Sequence, residues 1–113
     1  MNRKEVEEYI LSFPGATLTY PFGEDVAVYK VPVGNEEKMF ALMPEGKEPA
    51  TLSLKCDPQL AELLREKYVS VMPGYHLNKK HWNTIVLGQE LPWEEVQGFI
   101  TLSHNLVVGQ ATS

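Results

Sequence analysis

A two-layer α+β sandwich, an antiparallel sheet with helices packed on it in the order α-β(3)-α-β(2)-α, is the fold class this sequence predicts. Three observations predict it. Helix-period apolar patterns stand at both ends and in the middle of the chain, and β-rich runs fill the intervals in groups of three and two instead of alternating one by one with helices. The connections within the first group are short and rich in Pro, Gly and charge, which suits an antiparallel meander. With 113 residues, 43% of them hydrophobic and 10% aromatic, residues 1–113 are expected to form a single domain with a real core.

Each element has a local reason. Asn2 can cap a first helix whose apolar positions Val6, Tyr9, Ile10 and Phe13 follow i, i+3, i+4, i+7, and Pro14-Gly15 ends it. A polar and aromatic connection runs to Phe22-Gly23. Three strands are then expected at Asp25–Val31, Lys38–Met43 and Ala50–Lys55, with one face of the sheet covered. Asp57-Pro58 is the sharpest signal, an N-cap followed by proline at the first helical position, where its missing N–H costs nothing. Leu60, Leu63 and Leu64 are expected to face inward from that helix, with Glu62, Arg65, Glu66 and Lys67 mostly outward, and it should stop near Tyr68. Val69–Met72 is a short strand candidate before Pro73-Gly74, Trp82–Leu87 reads as a strand, and Pro92 opens a last helix through about Val107. The expected core includes Val28, Phe40, Leu42, Leu52, Leu54, Leu63, Leu64, Ile85, Leu87, Val96 and Ile100.

Charge narrows the partners. The formal net charge is -5, yet residues 1–50 carry five basic and nine acidic groups, residues 51–81 five and three, and residues 82–113 none and three. Only the middle segment is basic, so a nucleic acid would have to be gripped there, within about a Debye length of 8 to 10 Å. No apolar run approaches the roughly 20 residues that cross a bilayer, so no membrane partner is expected. The N-terminus turns acidic where a secretory leader turns apolar, and one cysteine makes no internal disulfide, which sets cytoplasmic residence as the default.

Candidate chemistry is sparse. Cys56 precedes the N-cap of the second helix, where the helix dipole and Lys55 favour a thiolate while Asp57 opposes it; a cysteine at such a junction also serves as a small buried hydrophobe. His76, His81 and His104 stand at no recognised metal spacing, and adjacent carboxylates such as Glu7-Glu8 and Glu94-Glu95 diverge around a helix, so neither metal nor cofactor is expected. The constellation that remains is Tyr75-His76-Leu77-Asn78-Lys79-Lys80-His81-Trp82. Lys79 and Lys80 supply charge for phosphate, Asn78 and His76 can donate hydrogen bonds, and Tyr75 or Trp82 could stack on a base. The structural alternative is a loop in which Trp82 is core, Asn78 bonds the backbone and the lysines keep a sheet edge soluble.

The run Ser53-Leu54-Lys55-Cys56-Asp57-Pro58, then Leu63-Leu64-Arg65-Glu66, then Pro73 to Thr84 resembles the signature of the MmcQ/YjbR-like family of small bacterial proteins. Phe13-Pro14-Gly15-Ala16, Tyr20-Pro21-Phe22-Gly23, Tyr29-Lys30 and Lys38 to Leu42 are similar to its N-terminal half, and Ser103 to Val107 to its closing helix, where the family usually has tyrosine in place of His104. The resemblance implies an α-β(3)-α-β(2)-α sandwich related to secretion-chaperone-like and frataxin-like architectures. It also implies a candidate DNA-binding function with a double-wing arrangement, with plausible contacts at Lys55, His76, Asn78, Lys79, Lys80, His81 and Trp82, and no catalytic residue or obligatory cofactor. The leading expectation is therefore a non-enzymatic DNA-binding protein. The alternative is a protein- or peptide-binding adaptor of the chaperone-like kind with no nucleic-acid role; a small-molecule enzyme built around Cys56 and the histidines stands third.

Overall fold

The computed structural model describes residues 1–74 and 77–109. Its elements run α1 (Arg3–Leu11), β1 (Thr17–Thr19), β2 (Val26–Val33), β3 (Glu36–Pro44), β4 (Thr51–Lys55), α2 (Pro58–Lys67), β5 (Val71–Pro73), β6 (Trp82–Val86) and α3 (Trp93–Gly109). The expected α-β(3)-α-β(2)-α order is present, with β1 added inside the connection that follows α1. All pairings are antiparallel and the six strands lie in the order β1-β2-β3-β4-β6-β5. Both edge strands are short and β5 ends in proline, which limits pairing with other chains.

The caps behave as their chemistry requires. Asn2 Oδ1 accepts from the Glu5 N–H at 2.9 Å, and Asp57 Oδ2 accepts from Gln59 and Leu60 N–H at 3.1 and 3.4 Å with Pro58 behind it. Strands β2 and β3 extend to Val33 and Glu36, leaving Gly34 and Asn35 as the turn. Gly15 has φ +79, and a Cβ there would lie 2.7 Å from the Pro32 ring, so only glycine lets the chain leave α1 so close to β2.

The three helices cover one face of the sheet. Val6 and Ile10 of α1 and Val96, Ile100 and Val107 of α3 close on Ala27, Tyr29, Val31, Phe40, Met43, Leu52, Leu54 and Ile85. A rim of aromatic edges completes this core: Phe13 meets Tyr9 and Phe40 edge-on and stacks at 4.5 Å on His104, so the imidazole fills an aromatic position between α1 and β3. Val28, Leu42 and Trp82 form a second, smaller cluster on the opposite face.

Two expectations for α2 are corrected. Leu63 is 61% exposed, because α2 rests on the sheet through Ala61, with Leu60 and Leu64 half-buried, and position 63 turns off that face. Arg65 points inward instead of outward. Its Nε donates to Asn83 Oδ1 at 2.8 Å, and Asn83 Nδ2 donates to the Ala61 carbonyl at 3.2 Å, which ties α2 to β6 through buried polar groups.

A side chain also repairs the sheet. Tyr29 pairs with Ala41 and Lys30 with Met39, so Phe40 is an extra residue bulged out of β3. Beside it the β3–β4 ladder stops at Ala41↔Leu54. The buried Ser103 hydroxyl fills the break, donating to the Phe40 carbonyl at 2.6 Å and accepting from the Lys55 N–H at 3.0 Å.

Candidate functional site

The loop between β5 and β6 carries the residues that the sequence singles out, and its geometry shows what holds it. The Gly74 N–H donates to the Trp82 carbonyl at 2.9 Å, and a Cβ on Gly74 would sit 2.7 Å from Trp82 Cβ, so the loop closes at a point only glycine fits. Lys79 Nζ donates to the Gly74 carbonyl at 3.1 Å, and Asn78 Oδ1 accepts from the Lys80 N–H at 2.9 Å in an Asx turn. Arg65 Nη2 reaches the Lys79 carbonyl at 2.6 Å, and the His81 carbonyl accepts from the Cys56 N–H at 2.7 Å. Of the described polar side chains of this segment, Asn78 and Lys79 are thus spent on its own fold.

The seven candidate contacts divide accordingly. Asn78 and Lys79 hold the loop. Trp82 is 6% exposed against Val28 and Leu42, which leaves little ring for a base to stack on. Lys80 and His81 are exposed and Lys55 is half-buried at the end of β4. His76, like Tyr75, lies outside the described residues.

Cys56 is half-buried in a narrow cleft between α2, α3 and the sheet, about 20 Å³ in volume, lined by Leu60, Leu64, Phe99 and Leu102. Burial pushes its thiol pKa up and the Asp57 carboxylate adds to this, outweighing the Arg65 guanidinium and a backbone hydrogen bond at Asp57. A thiol held protonated in a space for about one water is a poor nucleophile. Among the described residues no group of three or more His, Cys, Asp or Glu side chains is placed to hold a metal ion.

The larger concavity lies on the helix-free face of the sheet. Register brings Val28, Leu42, Ser53, Thr84 and Met72 into one row across β2, β3, β4, β6 and β5. Trp82, Met39 and Leu77 seal one end of this face. The other end is a groove of about 650 Å³ lined by Val26, Leu42, Pro44, Met72 and Leu77, with Phe22 at its edge. Phe22 is 66% exposed. Thr51, Ser53 and Thr84 contribute hydroxyls to the lining, Ser53 Oγ lying 2.8 Å from Thr84 Oγ1, and Asp25, Glu45 and Lys47 supply its charge. Glu45 is paired with Arg3, which also donates to the Met43 carbonyl at 3.3 Å. A concave, mostly apolar space with a few polar groups has the size and character of a binding site. An open sheet face is what the sequence leads one to expect, but none of the groove's lining residues is among the candidate contacts. The available signal was β4, where Thr51, Ser53 and Lys55 alternate with Leu52 and Leu54 and so mark a polar-lined second face.

Comparison with known proteins agrees with this architecture. The YjbR family model matches residues 11–106. The chain belongs to the YjbR family. Among YjbR-family relatives, the uncharacterised Escherichia coli protein YbdF is 38% identical over 98 residues, covering 87% of this chain and 77% of its own. The uncharacterised Escherichia coli YjbR itself is 33% identical over 108 residues, covering 96% and 88%. A crystal structure of a Deinococcus radiodurans protein superposes with a TM-score of 0.88 at 36% identity, covering 94% of this chain and 78% of that one. A Pseudomonas syringae crystal structure gives 0.79 at 29% identity, covering 94% and 98%. These relatives carry the YjbR fold without assigning it a chemistry. Among the described residues, no helix is long and apolar enough to cross a membrane.

Proposed function

We propose that this protein is a non-enzymatic protein-binding adaptor that holds an extended apolar segment of a partner protein in the groove on its helix-free sheet face. The observation that carries this reading is the groove itself, about 650 Å³, with Phe22 66% exposed at its edge and Met72 in its lining. Covering such side chains returns about 25 cal/mol for each Å² of apolar surface removed from water. Asp25 at the lining accepts a basic residue flanking the apolar segment, Glu45 being paired with Arg3.

An immobilised array of extended peptides of about eight residues tests the reading. Selected peptides should lose roughly tenfold or more in affinity for Phe22→Ala and Met72→Ala, with unchanged thermal midpoints, since both side chains are exposed. Equal binding by both variants would move the site elsewhere.

A DNA-binding role is the second reading, favoured by the exposed Lys80 and His81 with Lys55 nearby at the β4 end that pairs with Trp82. With a net charge of -5, binding should be weak and salt-sensitive. About two neutralised phosphates, at Lys55 and Lys80, give a log–log salt slope near -1.8, which the double change Lys55→Ala, Lys80→Ala should largely remove. Absence of binding to duplex and single-stranded DNA at about 50 mM salt would eliminate this reading.

A further inference from the structure

The helix layer has an apolar surface of its own. Phe99 and Leu102 of α3 line a shallow depression of about 370 Å³ together with Gly98, Glu94 and Glu95. Leu102 is 50% exposed, and it faces Leu60 and Leu64 of α2 across the narrow cleft that holds Cys56. Large side chains placed this way on two neighbouring helices make a continuous apolar strip, where solitary exposed leucines would need no explanation.

The charge on the α3 side of the strip has one sign. Residues 82–113 contain no lysine or arginine, so α3 presents only Glu94 and Glu95 as charged groups, both exposed. In the free protein these carboxylates complement the N-terminal end of the α3 dipole.

Gly98 is the second observation. It lies mid-helix, where glycine is a poor choice, and a Cβ built on it meets nothing within 4 Å. No contact within the chain requires a glycine there. What it provides is a notch in the surface of α3, immediately beside Phe99 and one turn from Leu102, into which another backbone can approach closely.

We propose that this face of α3 docks an amphipathic helix of a partner protein whose apolar stripe is flanked by lysine or arginine. The apolar stripe covers Phe99 and Leu102, the partner backbone crosses at Gly98, and the flanking cations meet Glu94 and Glu95. Helix-in-groove recognition of this kind draws affinity from the apolar anchors and selectivity from the charges.

The test uses the full chain, labelled with nitrogen-15, and a synthetic amphipathic peptide of about 14 residues with leucine at i, i+3, i+4 and i+7 and lysine elsewhere. A second peptide carries glutamate in place of every lysine. The lysine peptide should bind saturably, with amide shifts concentrated at residues 94–102, and the glutamate peptide roughly tenfold or more weakly. Gly98→Leu should reduce binding by roughly tenfold, while Gly98→Ala should raise the thermal midpoint and show that the position is free of internal constraint. Equal binding of the two peptides, full binding by Gly98→Leu, or shifts located on another face would overturn the proposal. So would concentration-dependent dimerisation of the protein alone that perturbs the same residues, because a second copy would then be the occupant.

Discussion

The two faces of the sheet are built from the same strands and finished in different ways. The face under the helices is sealed: Tyr29, Phe40, Met43, Leu52 and Ile100 have no exposure, and its interior polar groups, Ser103 and Asn83, are bonded to backbone or to Arg65. The other face has no helix over it among the described residues. Trp82, Leu77 and Met39 close one end and leave a groove at the other. The contrast teaches that one sheet can close a core on one side and leave a concave surface on the other. Leu77 of the polar loop and Trp82 at its end pack on Val28 and Leu42 of the open face, and the groove lies beside them.

The largest effects should test whether both clusters are core. Phe40→Ala and Trp82→Ala should each cost about 3 to 5 kcal/mol in denaturant unfolding. A Trp82→Ala cost below about 1 kcal/mol would make the helix-free cluster surface decoration and erase the symmetry between the faces. Ser103→Ala comes next, at about 2 to 4 kcal/mol, because it strands the Phe40 carbonyl and the Lys55 N–H inside the protein. Gly74→Ala, which forces a Cβ against Trp82, should cost about 1 to 3 kcal/mol and loosen the loop that seals the open face.

The smallest effect is a pH dependence at the edge of the sheet. The Glu90 carboxyl is held below the usual carboxylate range by its own backbone N–H first, against the opposing effect of desolvation, and then by contacts at Ser70 and Val69, the Ser70 N–H donating to it at 3.3 Å. A depressed carboxyl stabilises the fold above the unfolded value of about 4.3, and that contribution is lost as pH falls through the lower folded value. Glu90→Gln should therefore lower the thermal midpoint at neutral pH and leave it unchanged well below pH 4, flattening the acid limb of the curve. Parallel curves for the two proteins would remove Glu90 from the account.

How much of this is legible in the sequence depends on the range of the interaction concerned. The caps Asn2 and Asp57, the proline at the start of α2 and the apolar period of α1 are local, and the element order follows from them. Leu63 and Arg65 were misplaced because three leucines in five positions define a face only to within a residue, and the Asn83 side chain that draws Arg65 inward comes from a strand 18 residues away. The bulge at Phe40 and its repair by Ser103 join residues 63 apart, and no local pattern announces them. The setting of Cys56 is local too, because Asp57, whose carboxylate helps to raise the thiol pKa, stands beside it in the sequence. The groove is the least legible feature, because one residue from each of five strands makes its central row and only register assembles them.

The central claim is that a partner lies on the open end of the helix-free face and that Leu77 and Trp82 close its other end. Backbone amide shifts, followed while the strongest peptide from the array is added to the full chain, test it most directly. The account predicts the largest changes at residues 22–26, 42–45 and 51–53 and at Met72 and Thr84, with Phe22→Ala abolishing them. Silence at those positions, together with saturable changes confined to residues 78–81 on adding duplex DNA at about 150 mM salt, would contradict it and return the basic loop to the centre of the function.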